Sequence, residues 1–168
     1  MAGEMAMLSL LANEEPVGAL EPLFVIRVVD PPRPKQRART VRHGQRTYTP
    51  KQTENAAYRV RQAVIEKYGD PQEGAFQPFE GPVFLRFTAW LKMPTAIPRY
   101  KRPTALPLKT PDLPNMVMLL ADALSGYAYL DDKLVTDSQE RKRYAGTYGG
   151  PNFPCWEVEV FESKPELW

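Results

Sequence analysis

The sequence predicts a mixed α/β domain, a twisted β-sheet with two helices packed on it. Three observations carry this expectation. Runs dense in β-branched and aromatic residues stand at Leu23–Val29, Val83–Leu91 and Cys155–Phe161, and the last two alternate side-chain type with period two, as strands do. Between them lie two segments with helical spacing and legible starts, Thr49-Pro50 and Asp112-Leu113-Pro114. A length of 168 residues suffices for one proper core and is short for two.

Residues 1–21 hold four glutamates and neither Lys nor Arg, and read as an acidic extension outside a single domain over 22–168. Leu23–Val29 is the first strand, stopped by Asp30-Pro31-Pro32. Thr40–Tyr48 reads as a small hairpin turning at His43-Gly44. In the first helix Thr49 is the expected N-cap, Pro50 the first helical residue and Gln52 the partner in a capping box, with Gly69 at the end. Ala57, Val60, Val64 and Tyr68 form its expected packing stripe, leaving Arg59, Arg61 and Lys67 outside. Val83–Leu91 is the next strand. Met93–Pro111 is a long loop with five prolines, in which Tyr100 either stacks on a base or packs locally.

The second helix takes Asp112 as N-cap and tolerates Pro114 in its first turn. Leu113, Met116, Val117, Leu120 and Leu124 make its buried face. Asp112, Asn115, Met118 or Leu119, and Asp122 fall on another face, and Gly126 ends the helix. Lys133–Lys142 reads as a solvent-edged strand. In Cys155–Phe161, Glu157 and Glu159 mark one wet face.

A net charge of +2 conceals strong segregation. Pro31–Thr53 carries seven basic residues and no acid, and Gly81–Pro111 carries six more, again without an acid. Blocks of one sign mark a polyanion binder. Cys155 is the only cysteine, which excludes an internal disulfide and fits a reducing cytoplasm, the expected location. With His43 the only histidine, a multi-histidine metal site within one chain is excluded. No apolar run approaches membrane-spanning length, and Met1–Ala12, with Glu4 and no basic start, does not read as a signal peptide. The chemistry concentrates in Lys109–Thr136. There Asp112 at a helix start and the pair Asp131-Asp132 before a strand offer the hard oxygen ligands that Mg²⁺-dependent phosphodiester hydrolysis requires.

The order of PPRPKQRAR, YTPKQT, FEGPV, PDLPN followed by DALSG, YLDDKLV and ERKR resembles the RusA-type Holliday-junction resolvases over about residues 23–161. The resemblance implies a homodimeric endonuclease using Mg²⁺, or Mn²⁺ in its place, that binds and cuts four-way or branched DNA in recombination, repair or phage DNA processing. Matched to the family's motif, the acids are Asp112, Asp122, Asp131 and Asp132, with Asp112, Asp131 and Asp132 holding metal. Arg37, Arg39, Arg42, Lys51, Lys101, Arg102, Lys109 and Lys142 then position DNA phosphates. Two positions depart: Pro114 stands where the family carries a second acid, and Met118 where it carries a lysine. Asn115 or Asp131 is the available replacement ligand, and Lys109 or Lys133 the available cation. Two other readings are a catalytically impaired junction-binding protein of this fold and a basic module for RNA or a protein partner.

Overall fold

The computed structural model of the chain describes residues 21–40 and 47–164. The acidic extension up to residue 20 and the expected turn at His43-Gly44, with Arg42, lie outside the described residues. Six strands and two α-helices follow in the order β1 (Phe24–Val28), β2 (Arg39–Thr40), β3 (Thr47–Tyr48), α1 (Lys51–Tyr68), β4 (Val83–Leu91), α2 (Leu113–Leu124), β5 (Val135–Tyr144) and β6 (Cys155–Glu162). The main sheet has the order β1-β6-β4-β5, and β2 and β3 pair as a separate two-stranded ribbon. The mixed α/β sheet with two principal helices is therefore as expected.

One pairing decides where the chemistry can sit. β4 and β5 are parallel, so the chain must cross over between them, and α2 is that crossover. The other two pairings, β1 with β6 and β6 with β4, are antiparallel. Both helices pack on one face. Val83, Leu85, Phe87 and Ala89 of β4 meet Val60 and Val64 of α1 and Met116, Leu119, Leu120, Ala123 and Leu124 of α2 in one buried core with Trp156, Val158 and Val160. Ridges of large side chains on α2 thus fix its rotation, and the residues left over form the site.

The opposite sheet face is closed by polar lattice rather than by a helix. Arg27 pairs with Glu157 at 2.5 Å and Arg86 with Glu159 at 2.7 Å, and Trp90 Nε1 donates to Glu157 Oε2 at 2.7 Å. The Arg86 guanidinium also lies 4.6 Å from the Phe161 ring centre. Gly150 comes so near Trp90 that an added Cβ would stand 2.1 Å from the indole, so that turn requires glycine. The wet face expected of β6 is only half wet, because these ion pairs cover it.

Four expectations are corrected. α1 begins at Lys51 with Pro50 as N-cap and no side-chain cap bond. The capping box does not form: the helix starts one residue later than Thr49 would cap, and Gln52 Oε1 accepts instead from Gln36 Nε2 at 3.1 Å, beside Thr53 Oγ1, which accepts from Gln36 N at 3.1 Å. The buried stripe is Thr53, Ala56, Val60 and Val64, with Ala57 only half-buried, because α1 sits against α2 and β1 together. Arg61 points inward, its Nε donating to Ala123 O at 3.3 Å and its guanidinium 5.6 Å from the Tyr127 ring centre. β5 starts at Val135, not Lys133, since Asp132–Leu134 forms a 3₁₀ turn capped by Asp131.

Candidate active site

Helix α2 presents its outward face to the start of β5. With Leu119 buried at 1% exposure, Met118, at 48%, is the residue on that face. Asp122 follows one turn later. The opposite wall is the 3₁₀ turn that leads into β5. It is held in place from below, because Phe79 N donates to Ala128 O and Leu130 N donates to Phe79 O, both at 3.0 Å. Between the walls is an open cleft of about 320 Å³ lined by Met118, Asp122, Asp132, Thr136, Asp137 and Ser138, among others. Asp122 and Asp132 are thus brought to one cleft.

Tyr129 is fully buried beneath them and donates its hydroxyl to Ala121 O at 3.0 Å. Burial, then the charges of Asp132 and Asp122, raise its pKa. The phenol therefore stays neutral.

The other acids are placed differently. Asp131 turns to its own chain: its Oδ1 accepts from Lys133 N at 3.0 Å and its Oδ2 lies 3.1 Å from Lys133 Nζ. The backbone bond from Lys133, then the side-chain bond, holds its carboxyl below the usual carboxylate range. Asp112 is exposed at the N-terminus of α2, makes no side-chain cap bond, and does not line the cleft. Pro114 is exposed beside it. Among the described residues no three His, Cys, Asp or Glu side chains converge as a metal cage. Asp137 also lines the cleft, but its Oδ2 accepts from Thr136 Oγ1 and Ser163 Oγ, both at 2.9 Å. Asp122 and Asp132 with the neighbouring hydroxyls are an all-oxygen donor set, which fits Mg²⁺ held by one or two acids together with water and phosphate.

The expected DNA contacts divide by what their side chains already do. Arg37, Arg39, Lys51, Lys101 and Lys109 are exposed, and Lys101 Nζ stands 5.5 Å from the exposed Tyr100 ring. Arg102 instead braces the proline-rich loop, with Nε donating to Ile97 O at 2.9 Å and Nη2 to Thr95 O at 3.4 Å. Lys142 fastens the approach to α2 through Lys109 O at 2.8 Å and Pro111 O at 3.2 Å.

Lys35 is the residue that linear spacing does not single out. It comes from the basic loop after β1 and pairs with Asp122. The partners are 87 residues apart, so only the fold reveals the contact.

The model of the family described as endodeoxyribonuclease RusA matches residues 30–150, a span that contains both walls of the cleft. The chain belongs to the RusA family. That family is one of endodeoxyribonucleases, which supports a nuclease reading of the scaffold. Comparison with curated proteins gives no match. The cleft holds the helix acid Asp122 and the strand-side acid Asp132, with Met118 in its lining and Pro114 in the first turn of α2. A larger groove of about 580 Å³ lies on the other sheet face, among Arg27, Arg86, Glu157 and Glu159. Arg27 is paired with Glu157 and Arg86 with Glu159 there, and Lys67 and Arg141 also line it.

Proposed function

We propose that this chain is a Mg²⁺-dependent endonuclease that binds four-way or branched DNA and hydrolyses one phosphodiester per site, acting as a homodimer on paired strands. The observation that carries the reading is the sharing of one solvent-open cleft by Asp122 and Asp132, beside basic loops, on a RusA scaffold. Asp122 and Asp132 would hold the ion, with Asp112 close in sequence to the departed position at Pro114 and Asp131 ordering the turn that presents Asp132. Bound Mg²⁺, or Mn²⁺, supplies Lewis acidity toward the phosphate and a more acidic water. Exposed Arg37, Arg39, Lys51, Lys101 and Lys109 would grip backbone phosphates and leave specificity to junction shape. In the reaction water adds to phosphorus, one P–O ester bond breaks, and the hydrogens of water are shared between the released hydroxyl and solvent.

The test is junction cleavage in Mg²⁺ and in Mn²⁺ by the wild type and by Asp132→Asn. The neutral variant is expected to lose about 10²-fold or more in rate, the equivalent of several kcal/mol of metal-borne charge stabilisation, while keeping junction affinity. Tight binding with no nicking in either metal, and no effect of Asp132→Asn, would sink the enzyme reading.

A second reading has its own observation. Pro114 and Met118 remove an anionic ligand and a cation while leaving α2 intact, which supports a junction-binding protein with impaired chemistry. If nicking appears only after Pro114→Asp together with Met118→Lys, this second reading is the right one.

A further inference from the structure

The loop that carries Lys35 is tied down at both helices. Its own N–H donates to Asn115 O at 2.9 Å, on α2. The next residue, Gln36, is bonded through its N–H to Thr53 and through its side chain to Gln52, both on α1. The ammonium is therefore delivered to a defined place, where it pairs with Asp122 at the edge of the cleft. Its side chain is 34% exposed and that of Asp122 is 41% exposed, so both remain reachable from solvent. Met118, one turn from Asp122 on the same helix face, offers a thioether and no charge.

We infer that Lys35 is the cation of the phosphodiester site, occupying from a distant loop the role that a lysine at 118 would fill, with Asp122 positioning it. This rests on the nuclease reading above. An ammonium has three N–H donors, and one bond to Asp122 leaves two for non-bridging phosphate oxygens. Positive charge held there, before the substrate arrives, opposes the negative charge that grows on the phosphate during hydrolysis. The same pairing has a cost in the absence of DNA, because Lys35 competes with a divalent ion for Asp122. Removing it must therefore slow cleavage while tightening metal binding, a pair of opposite effects that a purely structural lysine would not produce.

The experiment uses the full chain as wild type, Lys35→Met, Lys35→Arg, and Lys35→Met combined with Met118→Lys. Single-turnover cleavage of a four-way junction in Mg²⁺ is measured beside Mn²⁺ affinity without DNA, by electron paramagnetic resonance. Lys35→Met is expected to slow cleavage about 10²- to 10³-fold, by analogy with deletion of one charge-stabilising donor, and to bind Mn²⁺ several-fold more tightly. Lys35→Arg should keep most of the rate. Adding Met118→Lys should recover at least about tenfold in rate and reverse the gain in Mn²⁺ affinity, since the new lysine stands four residues from Asp122 on the same helix face, within pairing reach. Thermal melting checks folding, and Lys35→Gln replaces Lys35→Met if the latter does not melt cooperatively. An active wild type whose neutral Lys35 variants cut within about threefold of it, or show no recovery with Met118→Lys, overturns the role of Lys35 alone. A wild type silent in both metals overturns the nuclease reading, and the catalytic role of Lys35 goes with it.

Discussion

Asp131 and Asp132 are neighbours in sequence with opposite assignments. Asp131 spends both carboxylate oxygens on Lys133, whereas Asp132 lines the cleft. Asp131→Asn should therefore change Mn²⁺ affinity by a few-fold at most, as for an exposed ion pair, while Asp132→Asn should abolish measurable binding at the same concentration. Calorimetric titration of both variants checks this, and equal losses would mean that the pair acts as one ligand. Two other single groups set a pH dependence. Cys155, fully buried in β6, has its thiol pushed up to about 11, mainly by burial and secondarily by Glu157, with Arg27 opposing. Burial also raises Tyr129, with Asp132 and Asp122 adding to it. Both groups hold their protons more tightly folded than unfolded. The stability they contribute is complete below the unfolded thiol pKa and is lost as pH rises toward the folded one. The urea midpoint is thus expected to fall between about pH 9 and pH 11, with Cys155 contributing on the order of 2 kcal/mol. Cys155→Ala should show a shallower decline, and a midpoint independent of pH for the wild type would refute the assignment.

At the scale of elements, α2 is both the second wall of the core and the first wall of the site. Met116, Leu119, Leu120, Ala123 and Leu124 are buried, so the rotation that places Met118 and Asp122 outward is set by packing. Leu120→Ala, at a position with no solvent exposure, should cost about 2–5 kcal/mol in denaturant unfolding and slow cleavage only in proportion to the folded fraction lost. A rate loss at full folding would instead show that the helix shifts in its groove. The elements themselves were legible because their signals are local. Alternation in VFLRFTAWL matches the observed bounds of β4, Val83–Leu91, and Asp112-Leu113-Pro114 marks the start of α2. The cap of α1 is not legible, because Gln52, the expected partner of Thr49, bonds to Gln36 across a loop, and a motif of four residues cannot register a competing partner from outside it. Asp122 and Asp132 stand out in the sequence only as two of four acids, and their separation from Asp112 and Asp131 depends on the 3₁₀ turn and on Phe79, which brace the strand entry from another segment. Lys35 was only one of seven basic residues until the fold joined it to α2.

The whole molecule carries a net charge of only +2, so its attraction for nucleic acid must come from where the charges stand rather than how many there are. The basic side chains fall into two populations. Lys101 and Lys109 extend into solvent, whereas Lys142 and Arg102 are bonded to backbone carbonyls and hold the loop from which the others project. Counterion release separates the two. Each phosphate neutralised on duplex DNA contributes about −0.9 to the slope of log affinity against log salt concentration. Lys101→Ala and Lys109→Ala are each expected to reduce that slope by about one, with stability unchanged. Lys142→Met should lower stability by about 1–3 kcal/mol, because two carbonyls lose a charged donor, and leave the slope as it is wherever the chain is folded. Fluorescence anisotropy on a four-way junction at several salt concentrations, with thermal melting alongside, measures both. Single-stranded RNA in the same titration completes the comparison. A steeper slope and tighter binding on RNA would turn the basic loops toward that ligand, whereas a slope that Lys101→Ala and Lys109→Ala do not alter would show that these lysines never meet phosphate. The division is informative because it attributes the two roles to particular hydrogen bonds rather than to charge, and a lysine already bonded to two carbonyls has fewer donors left with which to displace a counterion.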